Sequence, residues 1–522
     1  MHWIVTSLVL LYAPALCLAQ SLPSPQVAIP TLPTQATPKG YVDGLLAMQS
    51  VTIKMTGAKC DGVTDDTTAL NALLAANRTV TIPAGTGVCR TSAALNVTLD
   101  NTVLAGAGYN SATFQSTSAT DPVFRVGPGT SHVTLRGFSV DRTATPGATA
   151  HGIDITAGGI FAVVADIKAT NHYYGFALGG IAYGQAISNI AQNNYSDGFH
   201  LSANASAPNS QWTLDRNLSQ ANDGWGYNAA SSGSTPMILL PWMNVTSFAN
   251  TLGGAALHGT AAAPIYDVTI TSSLFSTDNG PALLFDTYGG QHKVGAGTFM
   301  ELAGTGVSGR NLATPATHAG QGLYITGANG DILVNGNYIS ANSQDGAVCG
   351  AFRCTFVGNV STQNGQAMAN TYSGMSFLNS IPGSTMLAVG NRSGNLNTST
   401  PQATGISVLN GVGTTISGND LQFNGTAGLA VGSNATAMSA HGNIGFDLES
   451  SGVSNIAVGN LSVSVVHGLA VPPTQMLVFP NTDPGTGRMW ADGCNATTCT
   501  VHTSATFTSL IGFSWQARVF NR

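Results

Sequence analysis

The feature that most constrains this chain is a glycine followed by alternating apolar residues, repeated at near-regular spacing. It reads HGIDI, YGFAL, DGFHL, WGYNA, GAALH, GPALLF, QGLYI, DGAVC, SGMSF, TGISV and AGLAV. The glycines are Gly152, Gly175, Gly198, Gly226, Gly254, Gly280, Gly322, Gly346, Gly374, Gly405 and Gly428. Most intervals are 23 to 31 residues; the interval of 42 before Gly322 holds a loop or a less regular coil near GTGVSG. Short strands at such a period, separated by Gly and Asn turns, define a solenoid, because one repeat cannot bury its apolar side chains without its neighbours. Composition agrees. Only 8% of residues are charged, against roughly 25% in an average globular protein. Disorder is excluded by 43% hydrophobic residues and a net charge of −6. That mild acidity gives no reason to expect nucleic acid or an anionic membrane as partner. Strand alternation sets the phase. Ile153, Phe176 and Phe199 point inward if Asp154, Ala177 and His200 lie outside; the opposite phase buries Asp154 at high cost.

The ends differ from the repeat. Residues 1–19 read as a secretory signal: an apolar run, then Cys-Leu-Ala with small residues placed for cleavage after Ala19. The run falls short of the ~20 residues of a membrane span, and no later segment has that length. Residues 20–50, rich in Pro, Gln, Thr and Ser, read as a linker ending in a short helix near GYVDGLLAMQS. Signal removal takes Cys17 and leaves six cysteines in three local pairs, Cys60 with Cys89, Cys349 with Cys354 and Cys494 with Cys499. An even count in an exported chain favours disulfides, and proximity chooses these partners. Their spacings do not suit zinc. The expected location is the medium, the periplasm or the cell surface.

Residues 51–92 carry a strand (VTIKM), a turn-rich GAKCDGVTDD, a helix (TTALNALLAAN) opened by Asp65 and Asp66, and a returning strand ending in PAGT. A carboxylate before the first helical turn satisfies free N–H groups. This run of about forty residues resembles the N-terminal cap of the pectate lyase superfamily, in the branch of rhamnogalacturonase-like and epimerase-like proteins. The resemblance implies an all-β, right-handed parallel β-helix, a pectin-lyase-like solenoid with a short capping helix, and an association with carbohydrate. The β-helix with its cap is expected over 51–469. Residues 470–522 are expected to form a small β-rich segment; with their TDPG and Trp-x-Asp-Gly run they resemble C-terminal segments of phage tail and tailspike proteins. Such ends are compatible with a homotrimer.

Hydrolases of this shape use a carboxylic acid to protonate the glycosidic oxygen and a carboxylate to activate water. Asp197 (YSDGFHL) and Asp223 (NDGWGY) stand 26 residues apart, and coils stack about 4.8 Å apart. His258, Asp286, His292 and Lys293 follow. The order resembles polygalacturonase-like hydrolases, and by that resemblance Asp197 and Asp223 are the acid/base pair, His258 the histidine and Lys293 the basic residue. The motifs depart from the family's: Tyr-Ser-Asp replaces Asn-x-Asp, Asn-Asp replaces Asp-Asp, Leu-His-Gly replaces Gly-His-Gly, and no Arg-x-Lys is in place. Asp or Asn before Gly is also an ordinary turn pair. Tyr173, Tyr174, Tyr195, His200, Trp212, Trp225 and Tyr227 add rings to the same coils, so a polysaccharide groove is expected within 151–293, with Tyr195, His200, Trp225 and Tyr227 as substrate contacts. No cofactor is expected; no tight acidic cluster marks a calcium site. The leading expectation is an exported polysaccharide-active hydrolase. Its rivals are a non-catalytic carbohydrate-binding, adhesin-like or tailspike-like solenoid, and a lyase or epimerase, for which basic residues are scarce.

Overall fold

The computed structural model describes residues 51–519 except 158, 204–210, 232–234, 277, 279, 287–291, 301–319, 327–329, 379–383, 395–401, 437, 446–448, 470–471 and 496. The expected signal and linker lie outside the described residues.

Two parallel sheets dominate, of 13 and 26 strands. A strand pairs with its equivalent one coil on. In the 13-stranded sheet, Ile153 pairs with Phe176, Phe176 with Phe199, Phe199 with Tyr227 and Tyr227 with Ala255. The 26-stranded sheet is folded into two strips. Strand Ala162–Thr170 runs through both, pairing first with Gly184–Ile187 and then with Ile190–Gln192. Asp166, at φ 53°, makes the bend. Each coil therefore has three sides: first strip, second strip, 13-stranded sheet.

The phase read from the sequence holds. Ile153, Phe176 and Phe199 are fully buried, while Asp154 and His200 are half-buried on the outside. Rings stack from coil to coil inside, Phe176 on Phe199 at 4.7 Å and Phe199 on Tyr227 at 5.0 Å. Each such side chain contributes roughly 1.5–3 kcal/mol by burial.

The corners are polar, yet buried. One file of asparagines, Asn337, Asn359, Asn391, Asn419 and Asn443, follows the bend between the two strips, as do Asn189 and Asn217. Each amide oxygen accepts both the backbone N–H and the side-chain N–H of the preceding asparagine, as between Asn359 and Asn391 at 2.9 Å for both. Each amide nitrogen also donates back to a carbonyl of the coil before, Asn359 to Val334 at 2.9 Å. A second file, Asn194, Asn222, Asn250 and Asp278, lies where the chain enters the 13-stranded sheet. The repeated glycine sits against this corner. A Cβ on Gly198 would collide with the Ser219 hydroxyl and meet the next coil's Gly226 carbonyl at 2.8 Å and the Asn222 amide at 2.9 Å, and one on Gly226 would meet Ser247, Gly254 and Asn250 in the same way.

Helix Thr67–Ala76 closes the N-terminal end, burying Leu70, Leu73 and Leu74. The three aspartates beside it are structural. Asp66 accepts the N–H groups of Lys59 and Cys60 at 2.7 and 2.9 Å. Asp65 accepts that of Thr67 at 3.0 Å. Asp61 accepts those of Val63 and Thr64 at 2.9 and 2.7 Å, and these bonds lower its pKa to about 2. Two local readings change. VTIKM is strand only at Val51–Thr52 and then a 3-10 turn, Ile53–Thr56. The turn-rich DGVTD is an irregular strand whose register shifts between Asp61 and Asp65, because the Asp61 carboxylate replaces part of the ladder bonding. Cys60–Cys89, Cys349–Cys354 and Cys494–Cys499 are disulfides. Asp66 lies beside the first pair, whose sulfurs are committed to each other.

Parallel pairing ends at Ile444. Strand Glu449–Ile456 is already antiparallel, paired with Ile511–Arg518. Two three-stranded sheets complete the chain around Ile456, Val501, Phe513 and Trp515. Against an expected change of texture near 470, antiparallel pairing begins at Glu449. No helix among the described residues is long and apolar enough to cross a membrane.

The asparagine file gives a direct test. Asn222→Ala leaves the buried N–H of Asn194 and its side-chain amide without their acceptor. Urea unfolding should show a loss of about 3 kcal/mol, whereas exposed Asn96→Ala should change stability little.

Candidate functional site

The outer face of the 13-stranded sheet between His151 and Thr326 gathers half of the expected site residues: Asp197, His200, Trp225 and His258. Outward positions form two columns. The first runs Asp154, Ala177, His200, Asn228, Ala256, Leu284, Tyr324. The second runs Gly179, Ser202, Ala230, His258, Asp286, Thr326. A third column enters the sheet two residues ahead of the core positions and holds His151, Tyr174, Asp197 and Trp225.

Rings stand on edge to the sheet and stack along it. His151 lies 4.9 Å from Tyr174 at 11°, and Tyr174 lies 4.1 Å from His200 at 1°. Asp197 fixes the end of this row. Its Oδ2 lies 2.8 Å from His200 Nδ1 and accepts from the Asn228 amide at 2.9 Å, while its Oδ1 accepts the Trp225 N–H at 2.9 Å. Asp197 is only 3% exposed. Three partners and burial make it the residue that orients His200, and leave it poorly placed to protonate a leaving group. A carboxylate on Nδ1 leaves Nε2 of His200 to exchange protons or bond a ligand.

On the same strand as Asn228, Trp225 packs with Ala256 and Leu284, apart from the core, and its ring is 6.1 Å from His258. His258 and Asp286 face each other on adjacent coils, Nδ1 to Oδ2 at 3.8 Å. Burial lowers the His258 pKa, while Asp286 and Asp197 act to raise it. Burial pulls the His151 pKa down to about 4, against the pull of Asp154. Tyr174 is held well above its usual range, first by burial and then by the Asp197 charge.

The remaining expected residues fall elsewhere. Tyr227 is fully buried, its hydroxyl donating to Asn217 and Thr246 carbonyls at 2.7 and 3.0 Å. It sits in the inward column and is out of reach of a substrate. Asp223 is not level with Asp197. The ladder partner of Asp197 is Trp225, two residues further on, and the Asp223 N–H goes to the Asn194 carbonyl at 2.9 Å. Asp223 and Tyr195 are half-buried in the turn that leads into the sheet. Lys293 is exposed on the first strip of the 26-stranded sheet, paired with Thr269 and Leu333. Seven residues beyond Asp286, the chain has already passed to another side of the coil. His151 and Asn228 are the site residues that sequence reasoning missed. The signal was register: His151 precedes Ile153 as Tyr174 precedes Phe176.

No family model and no curated protein matches the sequence. Solved structures do. The A-module of mannuronan C-5 epimerase AlgE6 from Azotobacter vinelandii aligns at TM-score 0.50 and 18% identity, over 76% of this chain and 99% of that one. The fold is the right-handed parallel β-helix. Tailspike protein 3 of bacteriophage CBA120 aligns at TM-score 0.52 and 16% identity, over 78% of this chain and 63% of that one. The N-terminal fragment of gene product 12 of bacteriophage phi29 aligns at TM-score 0.52 and 17% identity, over 78% and 73%.

The buried histidines make stability depend on pH. His151 and His292 are both held to about pKa 4 by burial, and neither ring nitrogen of His292 has a hydrogen-bond partner. A folded pKa below the ordinary 6.5 means that the unfolded chain binds protons first. Stability is therefore full above pH 6.5 and falls as pH drops toward 4. Urea midpoints at pH 7 and 4.5 should differ, and His292→Phe should remove its share of the difference, roughly 2 kcal/mol.

Proposed function

We propose that the chain is an exported polysaccharide-active protein whose ligand lies along the outer face of the 13-stranded sheet. The row His151–Tyr174–His200, continued by Trp225 and His258, carries this reading. Aromatic and imidazole rings on successive coils, flanked by Asn228, Ser202 and Thr326, offer a repeating ligand a row of ring edges and hydrogen-bond partners. The three disulfides support an oxidising compartment. The structures with this fold include an enzyme named for its action on mannuronan and a phage tailspike, which fits an extended glycan as partner.

Binding is the function this geometry supports best. A second reading, glycoside hydrolysis, is favoured by the Asp197–His200 contact. The ionised Asp197 would hold His200 as the base that takes a proton from water, and Asp223, on the next coil at the edge of the face, would supply the acid. Lyase or epimerase chemistry needs a cation beside the uronate carboxylate. Among the described residues of this face, Arg125 already faces Asp154 at 3.6 Å, and Lys293 is on another side.

Incubation of the mature protein with pectic, rhamnogalacturonan, alginate and bacterial exopolysaccharides tests both readings. Tyr174→Ala/His200→Ala should weaken retention by the bound polymer about tenfold or more. New reducing ends without new ultraviolet absorbance, lost in Asp197→Asn/Asp223→Asn, would establish hydrolysis; an unsaturated product absorbing in the ultraviolet would establish a lyase instead. Retention unaffected by the Tyr174/His200 substitutions would overturn the assignment of this face.

A further inference from the structure

A different side of the coil holds a second, concave feature. It lies on the first strip of the 26-stranded sheet, where outward residues Val163, Gln185, Thr213, Pro241 and Thr269 follow one another on successive coils. These floor a groove of about 510 Å³, and the residues two positions ahead of them, Phe161, Tyr183, Gln211 and Asp267, line one flank of it. We infer that this groove is a second glycan-binding site, specific for a neutral saccharide chain.

Three observations support it. First, Phe161 and Tyr183 are 49% and 50% exposed, yet ordered against each other, with rings stacked at 5.2 Å and 24°. His132 extends the row by one coil at 5.3 Å from Phe161. Exposed rings braced against one another offer apolar surface to a sugar without a side chain having to be ordered on binding. Second, Phe161 holds a φ of 57°. His132 and Asp267, at the equivalent corner position of other coils, share this conformation at 58° and 54°, so the corner itself aligns these side chains along the groove. Third, the floor is firm. Position 184 is glycine, and the Trp212 ring fills the space its Cβ would take, fully buried beneath the strip that carries Gln185 and Thr213.

The polar lining chooses the ligand class. Gln185, Gln211, Thr213 and Thr269 supply amide and hydroxyl groups of both hydrogen-bonding senses. Among the lining residues Asp267 alone is charged, and it is an acid. A polyuronate would meet like charge and no compensating cation, whereas neutral hydroxyls can bond to Asp267 and to the amides. The site is independent of the proposed function: it lies on another sheet and shares no residue with the His200 row.

The test is native affinity electrophoresis through gels containing dextran, a soluble β-glucan or alginate, combined with sedimentation velocity. The intact protein should be retarded by at least one neutral glucan. Phe161→Ala/Tyr183→Ala should raise the apparent Kd about tenfold or more, and Phe161→Tyr/Tyr183→Phe should restore it, since both changes keep the rings. Tyr174→Ala/His200→Ala should leave this retardation unchanged; a loss there would assign the neutral glucan to the other face and overturn the inference. Retardation by alginate alone, by none of the polymers, or equally in the Phe161/Tyr183 variant would also overturn it. So would self-association that disappears in that variant, which would make the groove a contact between copies.

Discussion

Everything in this protein rests on the hydrogen bond from one buried asparagine to the asparagine a coil away. A three-sided coil must turn sharply at each corner, and a sharp turn leaves backbone N–H and C=O groups that no sheet can pair. Buried without partners, each would cost about 1–3 kcal/mol. The files through Asn194–Asn222–Asn250 and Asn337–Asn359–Asn391–Asn419–Asn443 satisfy these groups by using each amide twice, forward to the next coil and back to the previous one. The corners become as regular as the sheets, and flat side faces of constant width follow.

The solenoid was legible because this constraint is written in a residue type. Gly198 and Gly226 recur because a serine hydroxyl, the next coil's carbonyl and an asparagine amide together occupy the space of a side chain, so the visible period marks a corner and not a strand. Core phase was legible at Asp154, whose charge admits only one orientation. Other features left weaker marks. Residues 449–456 alternate as any coil strand does, and nothing in ESSGVSNI distinguishes an antiparallel partner from a parallel one. Tyr227 reads as a surface aromatic near a groove, yet it stands two positions past Trp225 in a strand where Trp225, two residues ahead of the core column, is the ring that turns outside.

The candidate site shows the same limit more sharply. Equal sequence offsets do not give equal heights when coils differ in length. Asp197 and Asp223 are 26 residues apart, but the local coil takes 28, from Asp197 to Trp225, as the bond from the Gly198 N–H to the Trp225 carbonyl shows. Two residues of error turned an expected carboxylate pair into an aspartate that braces a histidine and an aspartate in a turn. Lys293 illustrates a larger shift: a few residues move a side chain to another side of the coil. Residue types and neighbourhood could be read from the sequence; the partners of each charge depended on register.

The ring row His151–Tyr174–His200 is assembled one residue per coil, and each coil adds the same rise. Such a face behaves as a ruler. Duplicating or deleting a whole coil would lengthen or shorten the row by one ring and preserve every contact on either side of the cut, because the asparagine files splice as readily as they extend. The span of the row is therefore set by a whole number of coils. Evolution can retune that span in discrete steps while the chemistry at each step stays unchanged.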